Sequence, residues 1–277
     1  MSSDVSVPER PALAASALAT DLVRDGGLWR EIRVVAETGS TNEDVAAAAR
    51  AGAAEGLVLV AEAQTAGRGR FERHWLSPPR AGLTFSLLLR PGPAVPAARW
   101  SLLPLLAGVG VQQAVAGLTG LDAALKWPND LLLGPGRRKA AGLLVEAVGE
   151  AAVLGVGINV TTAPAELPEG ATSLAVEGAA DTDRERLLQA VLERLAAEYL
   201  GWREARGDAR ESGLLAAYLR VCATIGSPVR VTQPEGAVLD GVADTIDDTG
   251  RLVLHTSAGE RAVSAGDVEH VRRGAER

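Results

Sequence analysis

At Gly226 the patterning of this chain changes, and the change narrows what it can fold into. Downstream lie short strand-like runs: Val229–Thr232, Val238–Ile246, Leu252–His255, Arg261–Val263 and Val268–Val271. Turn residues such as Asp247-Asp248-Thr249-Gly250 and Ser257-Ala258-Gly259 separate them, which predicts a small β-barrel with a thin core over 226–277. Upstream, helical periodicities mix with apolar strands, so 31–225 reads as a larger α+β unit. Residues 1–30 read as an N-terminal extension with a short helix.

Within that extension Pro11 to Val23 has helical character, broken at Gly26-Gly27. Ser40 and Glu43 have capping-box spacing and open a helix that runs through Val45 to Ala54 and ends by Gly56. Leu57–Ala61 and Leu83–Leu89 read as strands, and Gln64–Trp75 between them, rich in Gly and Arg without hydrophobic periodicity, reads as a loop. A long apolar helix is expected from Pro96 to Leu118, closed by Gly120. Ala124–Trp127 and Asp130–Leu133 read as short strands around Pro128, and Arg138–Val148 pairs with Ala152–Val160 as a hairpin. Pro164–Gly170 is a loop. Asp183–Trp202 is an amphipathic helix with Leu187, Leu188, Val191, Leu195 and Tyr199 at helical spacing, and Gly213–Thr224 is a second helix.

Composition excludes several classes. The chain is 47% hydrophobic and 23% charged, enough apolar content to bury a core and too much for a disordered tail. Its apolar runs are too short for an expected membrane span. Residues 11–20 are apolar, but Asp4, Glu9 and Arg10 precede them and Asp21 and Arg24 follow, which favours a helix over a signal peptide. A net charge of −7 argues against broad nucleic-acid affinity, because counterion release needs a basic surface. The single cysteine, Cys222, lies in the apolar stretch Leu219 to Ile225 and reads as a buried thiol in a reducing compartment, the cytoplasm.

Cation choice is the sharper signal. Of 28 basic side chains only Lys126 and Lys139 are lysine, so these mark places that want a compact ammonium rather than a planar guanidinium. The asparagines are equally few: Asn42, Asn129 and Asn159. Gln64-Thr65-Ala66-Gly67-Arg68-Gly69-Arg70 joins glycines, which admit an anion close to the backbone, to arginine forks that bind phosphate or carboxylate; an ordinary exposed basic loop would look the same. Lys126-Trp127-Pro128-Asn129-Asp130 packs an ammonium, a rigid break, an amide and a carboxylate between two apolar runs, although a strand lysine is commonly a snorkelling edge residue. Asn159 falls in Gly155-Val156-Gly157-Ile158-Asn159-Val160, where glycines on a strand point to close approach of a ligand. There is no Walker A loop, and Gly155-Val156-Gly157 lacks the third glycine of a dinucleotide fingerprint.

Taken in order, Ser40-Thr41-Asn42, Gln64 to Arg70, Trp75, Lys126 to Asp130, Lys139 to Glu146 and Gly155 to Val160 resemble the biotin–protein ligase family over residues 32–271. The resemblance implies a mixed sheet with flanking helices of the class II synthetase kind, followed by a small SH3-like β-barrel. It implies synthesis of biotinyl-5′-AMP from biotin and MgATP, then transfer of biotin to a lysine of a biotin carboxyl carrier domain. By that likeness Ser40, Thr41, Asn42 and Gln64 would bind biotin, with Gly67, Arg68, Gly69 and Arg70 of the loop and with Lys126, Gly142 and Gly157. Arg68 and Arg70 would hold the biotin carboxylate and ATP phosphates, and Lys126 would stabilise charge growing in the transition state. Trp75 would cover the adenine or simply pack, and Asn129, Lys139 and Asn159 would serve the nucleotide or Mg²⁺. Asp130 is open between deprotonating the acceptor lysine, binding metal and capping a turn. No protein metal site is assigned, because Mg²⁺ would arrive on ATP.

One position departs from the family pattern: Glu72 stands where a glycine is usual, and a left-handed backbone there would be strained. Two rival readings remain. A lipoate–protein ligase shares the fold, whereas the Gly-Arg-Gly-Arg and Lys-Trp-Pro-Asn-Asp runs favour biotin. A biotin-responsive transcriptional repressor needs a DNA-reading module, and the residues before the first block are too few to hold one, so no specific operator binding is expected. His74, His255 and His270 sit in unrelated settings, which weakens hydrolase and zinc readings.

Overall fold

The computed structural model describes residues 10–71 and 73–271. The expectation about Glu72 therefore falls outside the described residues. The secondary structure begins with α1 (Ala15–Leu22), β1 (Glu31–Val35), α2 (Thr41–Arg50), β2 (Leu57–Ala61) and β3 (Gly82–Leu89). A 3₁₀ turn at Ala97–Leu102 leads into α3 (Leu103–Thr119), followed by β4 (Ala123–Lys126), β5 (Asp130–Leu133), β6 (Arg138–Val148) and β7 (Ala151–Asn159). Then come α4 (Arg184–Glu204) and α5 (Leu214–Val221), and finally β8 (Pro228–Thr232), β9 (Val238–Ile246), β10 (Leu252–Thr256), β11 (Gly259–Val263) and β12 (Asp267–His270).

β1 to β7 form one sheet in the order β1-β2-β3-β7-β6-β5-β4. Only β1 and β2 run parallel, joined by the crossover through α2; the other neighbours are antiparallel, so the sheet is mixed. Both faces are covered, which is why β2 and β7 are buried along their whole length and read as continuous apolar runs. Val58 and Val60 of β2 point into the main core with α3 and α4, while Leu57 and Leu59 point to a smaller core with Val45, Ala46 and Ala49 of α2. The stretch Ala97–Thr119 is long and apolar enough to cross a membrane, yet 67% of its most apolar window is buried inside this protein. Its all-round hydrophobicity is that of a core helix.

Several local expectations need correction. α2 ends at Arg50 rather than Ala54, because Gly52 turns the chain at φ 88° and a Schellman pair closes the helix, Ala53 N–H to Ala48 O at 2.9 Å and Gly52 N–H to Ala49 O at 3.1 Å. Ser40 stands at the N-cap but caps no backbone N–H with its side chain, so the capping box is not formed. The long apolar helix begins as a 3₁₀ turn. β1 carries no clear sequence signal, since only Ile32 of its five residues is fully buried. The first turn of α4 is capped by Asp183, whose side chain accepts from Glu185 and Arg186 N–H.

The extension is tied down by one buried ion pair. Arg184 of α4 meets Glu62 at 2.6 Å with both side chains less than a tenth exposed. Glu62 also accepts from Leu13 N–H at 2.6 Å, and Arg184 donates to Pro11 O. Stranding either charge would cost about 3–5 kcal/mol, so the path of residues 11–13 is firmly set.

β8 to β12 pair antiparallel in the order β11-β10-β9-β8-β12. This small β unit rests on the turn between β4 and β5. The buried Trp127 donates Nε1–H to Gly250 O at 2.9 Å and its backbone N–H to Thr224 Oγ1 at 3.0 Å. His270 Nε2 of β12 lies 3.3 Å from the same hydroxyl. Cys222 is buried beside this junction, and burial raises its thiol pKa, which makes it unreactive.

Burial, and after it the Lys126 charge, hold His270 below its ordinary value of 6.5. The folded protein therefore keeps His270 neutral where the unfolded chain would take up a proton. That increment of stability is whole above pH 6.5 and is lost as pH falls through the lower folded value. The thermal midpoint should drop between about pH 7.5 and about pH 5.5, and drop less in His270→Asn. Equal drops in the two proteins would remove His270 as the source.

Candidate active site

The ladder register builds the site. Directly paired residues share a face, so the side of the sheet under α2 can be read row by row. One row is Leu88, Val153 and Glu146; the next is Ser86, Gly155 and Leu144; the next is Thr84, Gly157, Gly142, Asp130 and Lys126. Val153 and Leu88 pack against α2. Beyond them come the glycines, where the cover of the helix stops at its first turn and side chains are missing. The result is a cleft of about 800 Å³, counting its open mouth, floored by Gly155, Gly157 and Gly142.

At one end stand Ser40, Thr41 and Asn42, which enter α2, together with Gln64, placed by an isolated bridge from Gln64 to Thr38 that prolongs the β1–β2 pairing. Gln64 Oε1 accepts from Thr41 N–H at 2.8 Å and from the Thr41 hydroxyl at 3.0 Å. Because a backbone N–H can only donate, the amide orientation is set and Gln64 Nε2 faces away from Thr41. Ser86 Oγ lies 2.7 Å from Thr41 Oγ1 and 2.6 Å from Asn42 Oδ1, with one proton to give between them. Asn42 Nδ2 donates to Glu146 at 2.8 Å. Buried hydroxyls and amides held in fixed orientations suit a compact polar head group.

The loop closes over this end as a tight hairpin. Arg68 bridges His74, Trp75 N–H donates to Gly67 O at 2.9 Å, and Gly69 N–H donates to Arg73 O at 2.7 Å. Among the described residues of its tip, Phe71 is left-handed, at φ 53°. Gly67 lies outside the cleft wall, and its lack of a side chain lets the Gln64 amide and the Trp75 carbonyl approach; a Cβ there would meet them at 2.7 and 2.4 Å. The Trp75 indole lies on the glycine floor, where a Cβ on Gly157 would come within 2.4 Å of it. Trp75 Nε1 lies against Gly157, buried with no hydrogen-bond partner among the described residues.

Cations occupy the other end. Arg70 donates to Asn129 Oδ1 at 3.1 Å and to Gly266 O at 3.4 Å, and stacks 4.7 Å from the Phe71 ring centre. Burial lowers its guanidinium pKa, partly offset by the Asp130 and Asp267 charges, and it remains a cation. Arg73 pairs with Asp267 at 2.5 Å, Arg68 with Glu146 at 3.1 Å, and Lys139 with Asp130 at 2.6 Å. Arg70 and Lys139 thus stand with Arg68 along one cleft, able to receive phosphate or carboxylate.

Besides Gly67, two expected residues lie outside the cleft wall. Asn159 continues the same face of β7 but is covered by the chain at 172–174: its amide donates to Thr172 O at 3.0 Å, and it does not line the cleft. Lys126 is also outside the cleft wall, one strand beyond Asp130 in the same row and close enough to His270 for its charge to be felt there. The lysine in the wall is Lys139. Asn129 lines the cleft, but both ends of its side chain are engaged, by Arg70 and by Leu143 O. The sequence reading gave no role to Ser86, Glu146, Gly266 or Asp267. A lone serine within the apolar run Leu83–Leu89 was a usable signal for Ser86; a distant loop such as 264–267 offers none.

The site is thus a glycine-floored cleft on a mixed sheet, with amides at one end and cations at the other. The Biotin/lipoate A/B protein ligase family matches residues 38–162, and the Biotin protein ligase C terminal domain matches residues 224–271. The chain is 45% identical over 267 residues to a biotin–acetyl-CoA-carboxylase ligase of Mycobacterium tuberculosis, covering 95% of this chain and 97% of that one. It is 33% identical over 239 residues to the bifunctional ligase/repressor BirA of Bacillus subtilis, covering 83% and 71%. The biotin protein ligase from Aquifex aeolicus, solved in complex with biotin and ATP, superposes with a TM-score of 0.72 at 28% identity, covering 88% of this chain and all of that one. The chain belongs to the biotin protein ligase family.

A Cβ on Gly155 would sit 2.1 Å from Asn42 Oδ1. Gly155→Ala should therefore push Asn42 off Ser86 and Glu146 and cost about 1–3 kcal/mol by urea unfolding. Gly117→Ala, in helical α3 with open space around it, should leave stability equal or raised by up to about 1 kcal/mol. Equal effects at the two sites would contradict the tight contact.

Proposed function

We propose that this protein is an ATP-dependent biotin–protein ligase that forms biotinyl-5′-AMP and passes the biotinyl group to a lysine of a biotin carboxyl carrier domain. The observation that carries the reading is a single cleft that joins oriented amides and hydroxyls to a cluster of cations. The ureido head would lie against Thr41, Ser40, Asn42 and Gln64. Its carboxylate would then point toward Arg68 and Arg70, where the triphosphate also belongs. Holding two anions together costs mutual repulsion, which the arginines and Lys139 offset. The indole of Trp75, already on the glycine floor, is suited to cover a flat base.

Attack by the carboxylate on the α-phosphorus forms the mixed anhydride and releases pyrophosphate. Charge builds on the phosphoryl oxygens during that step, and Lys126 is the ammonium proposed to meet it. Its place supports this: it ends the row Gly157, Gly142, Asp130, Lys126, and a lysine side chain can reach past one neighbouring strand. Mg²⁺ would come with ATP. Asp130 and Asp267, at the cleft, offer the hard oxygen ligands that such an ion accepts beside phosphate. In the second step the acceptor amine attacks the anhydride carbonyl and AMP leaves, and Asp130, which lines the cleft, is the group proposed to take the proton.

We take 31–225 as the catalytic unit and 226–277 as a small unit that contributes Gly266 and Asp267 to the rim. The lone buried thiol suits the cytoplasm.

Incubation with biotin, MgATP and a carrier domain should add one biotinyl mass to the carrier. A parallel incubation with lipoic acid should add none, and a gain there alone would favour the lipoate reading. Lys126→Arg should lower biotin-dependent pyrophosphate release about a hundredfold, because a guanidinium does not fit a compact ammonium's place. Normal release in that variant, with loss in Lys139→Arg, would move the role to Lys139.

A further inference from the structure

We infer that Glu146 is a positioning residue that couples the head-group end of the cleft to the anion-handling end, an assignment that rests on the biotin ligase reading above. Its two carboxylate oxygens serve different parts of the site. Oε2 accepts from Asn42 Nδ2 at 2.8 Å, and Oε1 pairs with the Arg68 guanidinium at 3.1 Å. Asn42 is 4% exposed, and its Oδ1 is already turned to Ser86, so its NH₂ has to find an acceptor on the Glu146 side. Arg68 stands between Gly67 and Gly69 on a loop with a half-exposed side chain, and little else fixes it; Glu43 lies farther off, at 3.6 Å, and is more exposed.

Glu146 is suited to this because of its row. It is paired with Val153, the last residue of β7 packed under α2 before the glycines begin. From that edge it touches α2 on one side and the loop on the other. Asn42 and Arg68 therefore share one rigid anchor on the sheet. A head group held against Asn42 thus rests on the same carboxylate that fixes where the Arg68 guanidinium begins its reach toward the reacting carboxylate.

Replacing the carboxylate by an amide separates the two roles. Glutamine has one oxygen and one NH₂ group. Its oxygen would go to the buried Asn42 donor, where an unmet hydrogen bond costs most. Its NH₂ would then face the Arg68 donors, which repel it. Alanine removes both contacts. The full chain should be tested by calorimetric titration with biotin and by biotin-dependent pyrophosphate release.

Glu146→Gln should keep its biotin Kd within about twofold of the parent while kcat falls about tenfold, the effect of one lost charge-assisted contact. Glu146→Ala should weaken biotin binding about tenfold and lower kcat as well. Variants that share the parent's Kd and kcat per folded molecule, and differ only in thermal midpoint, would reduce Glu146 to a structural residue and overturn the assignment. So would Gln and Ala variants indistinguishable in both constants. A parent enzyme that adenylylates no biotin would overturn the biotin reading and this assignment together, whereas an active parent with unaffected variants overturns this assignment alone.

Discussion

A sheet covered on both faces offers no room for a ligand unless part of one face is left bare. In this protein Gly155, Gly157 and Gly142 leave it bare, at the place where α2 begins and its cover stops. Everything else in the site is arranged around that missing volume. Asn42 lies so close to Gly155 that a Cβ would overlap it, and Trp75 lies equally close to Gly157. The polar head-group end and the flat aromatic cover are both possible because three side chains are absent. The buried rows beneath α2 make that floor rigid, since Ala151 and Val153 continue the same strand face into a packed core.

The charges follow a second rule. Each arginine or lysine that lines the cleft is already held by an acceptor of the protein itself: Arg68 by Glu146, Arg70 by Asn129 and a backbone carbonyl, Arg73 by Asp267, Lys139 by Asp130. These contacts are partly exposed, and such pairs contribute about 0.2–1 kcal/mol each. They are strong enough to keep the cations gathered and weak enough to yield to a phosphate. The buried pair of Arg184 and Glu62 is of the other kind. It anchors the N-terminal segment against α4 and would be costly to open.

Much of this was legible in the residues. Two lysines among 28 basic side chains, and three asparagines, drew attention to four short runs, and the ordered blocks that include them matched one ligase family. Most helices and strands followed from apolar spacing, because their cores are built from Leu, Val and Ala at regular intervals. β1 was missed because an edge strand half exposed to solvent carries little pattern. The capping box was misread because Ser40 and Glu43 have the right spacing, yet the Ser40 side chain caps no backbone group and Glu43 leans toward Arg68.

The sequence by itself determined which residue types were available for chemistry and roughly where the strands and helices would lie. Tertiary structure alone decided which of them meet. Lys126 and Lys139 are alike as residues, but the ladder sets Lys126 one strand farther out and puts Lys139 in the cleft wall. Asn159 shares a strand face with the glycine floor and is still removed from it, because the chain at 172–174 folds over that row. Glu146, Gly266 and Asp267 join the site from β6 and from a segment near the end of the chain, across separations that no local pattern encodes. The physical reason is that spacing along a chain specifies faces and periods. Contact depends on register between strands and on which surface a later segment comes to cover.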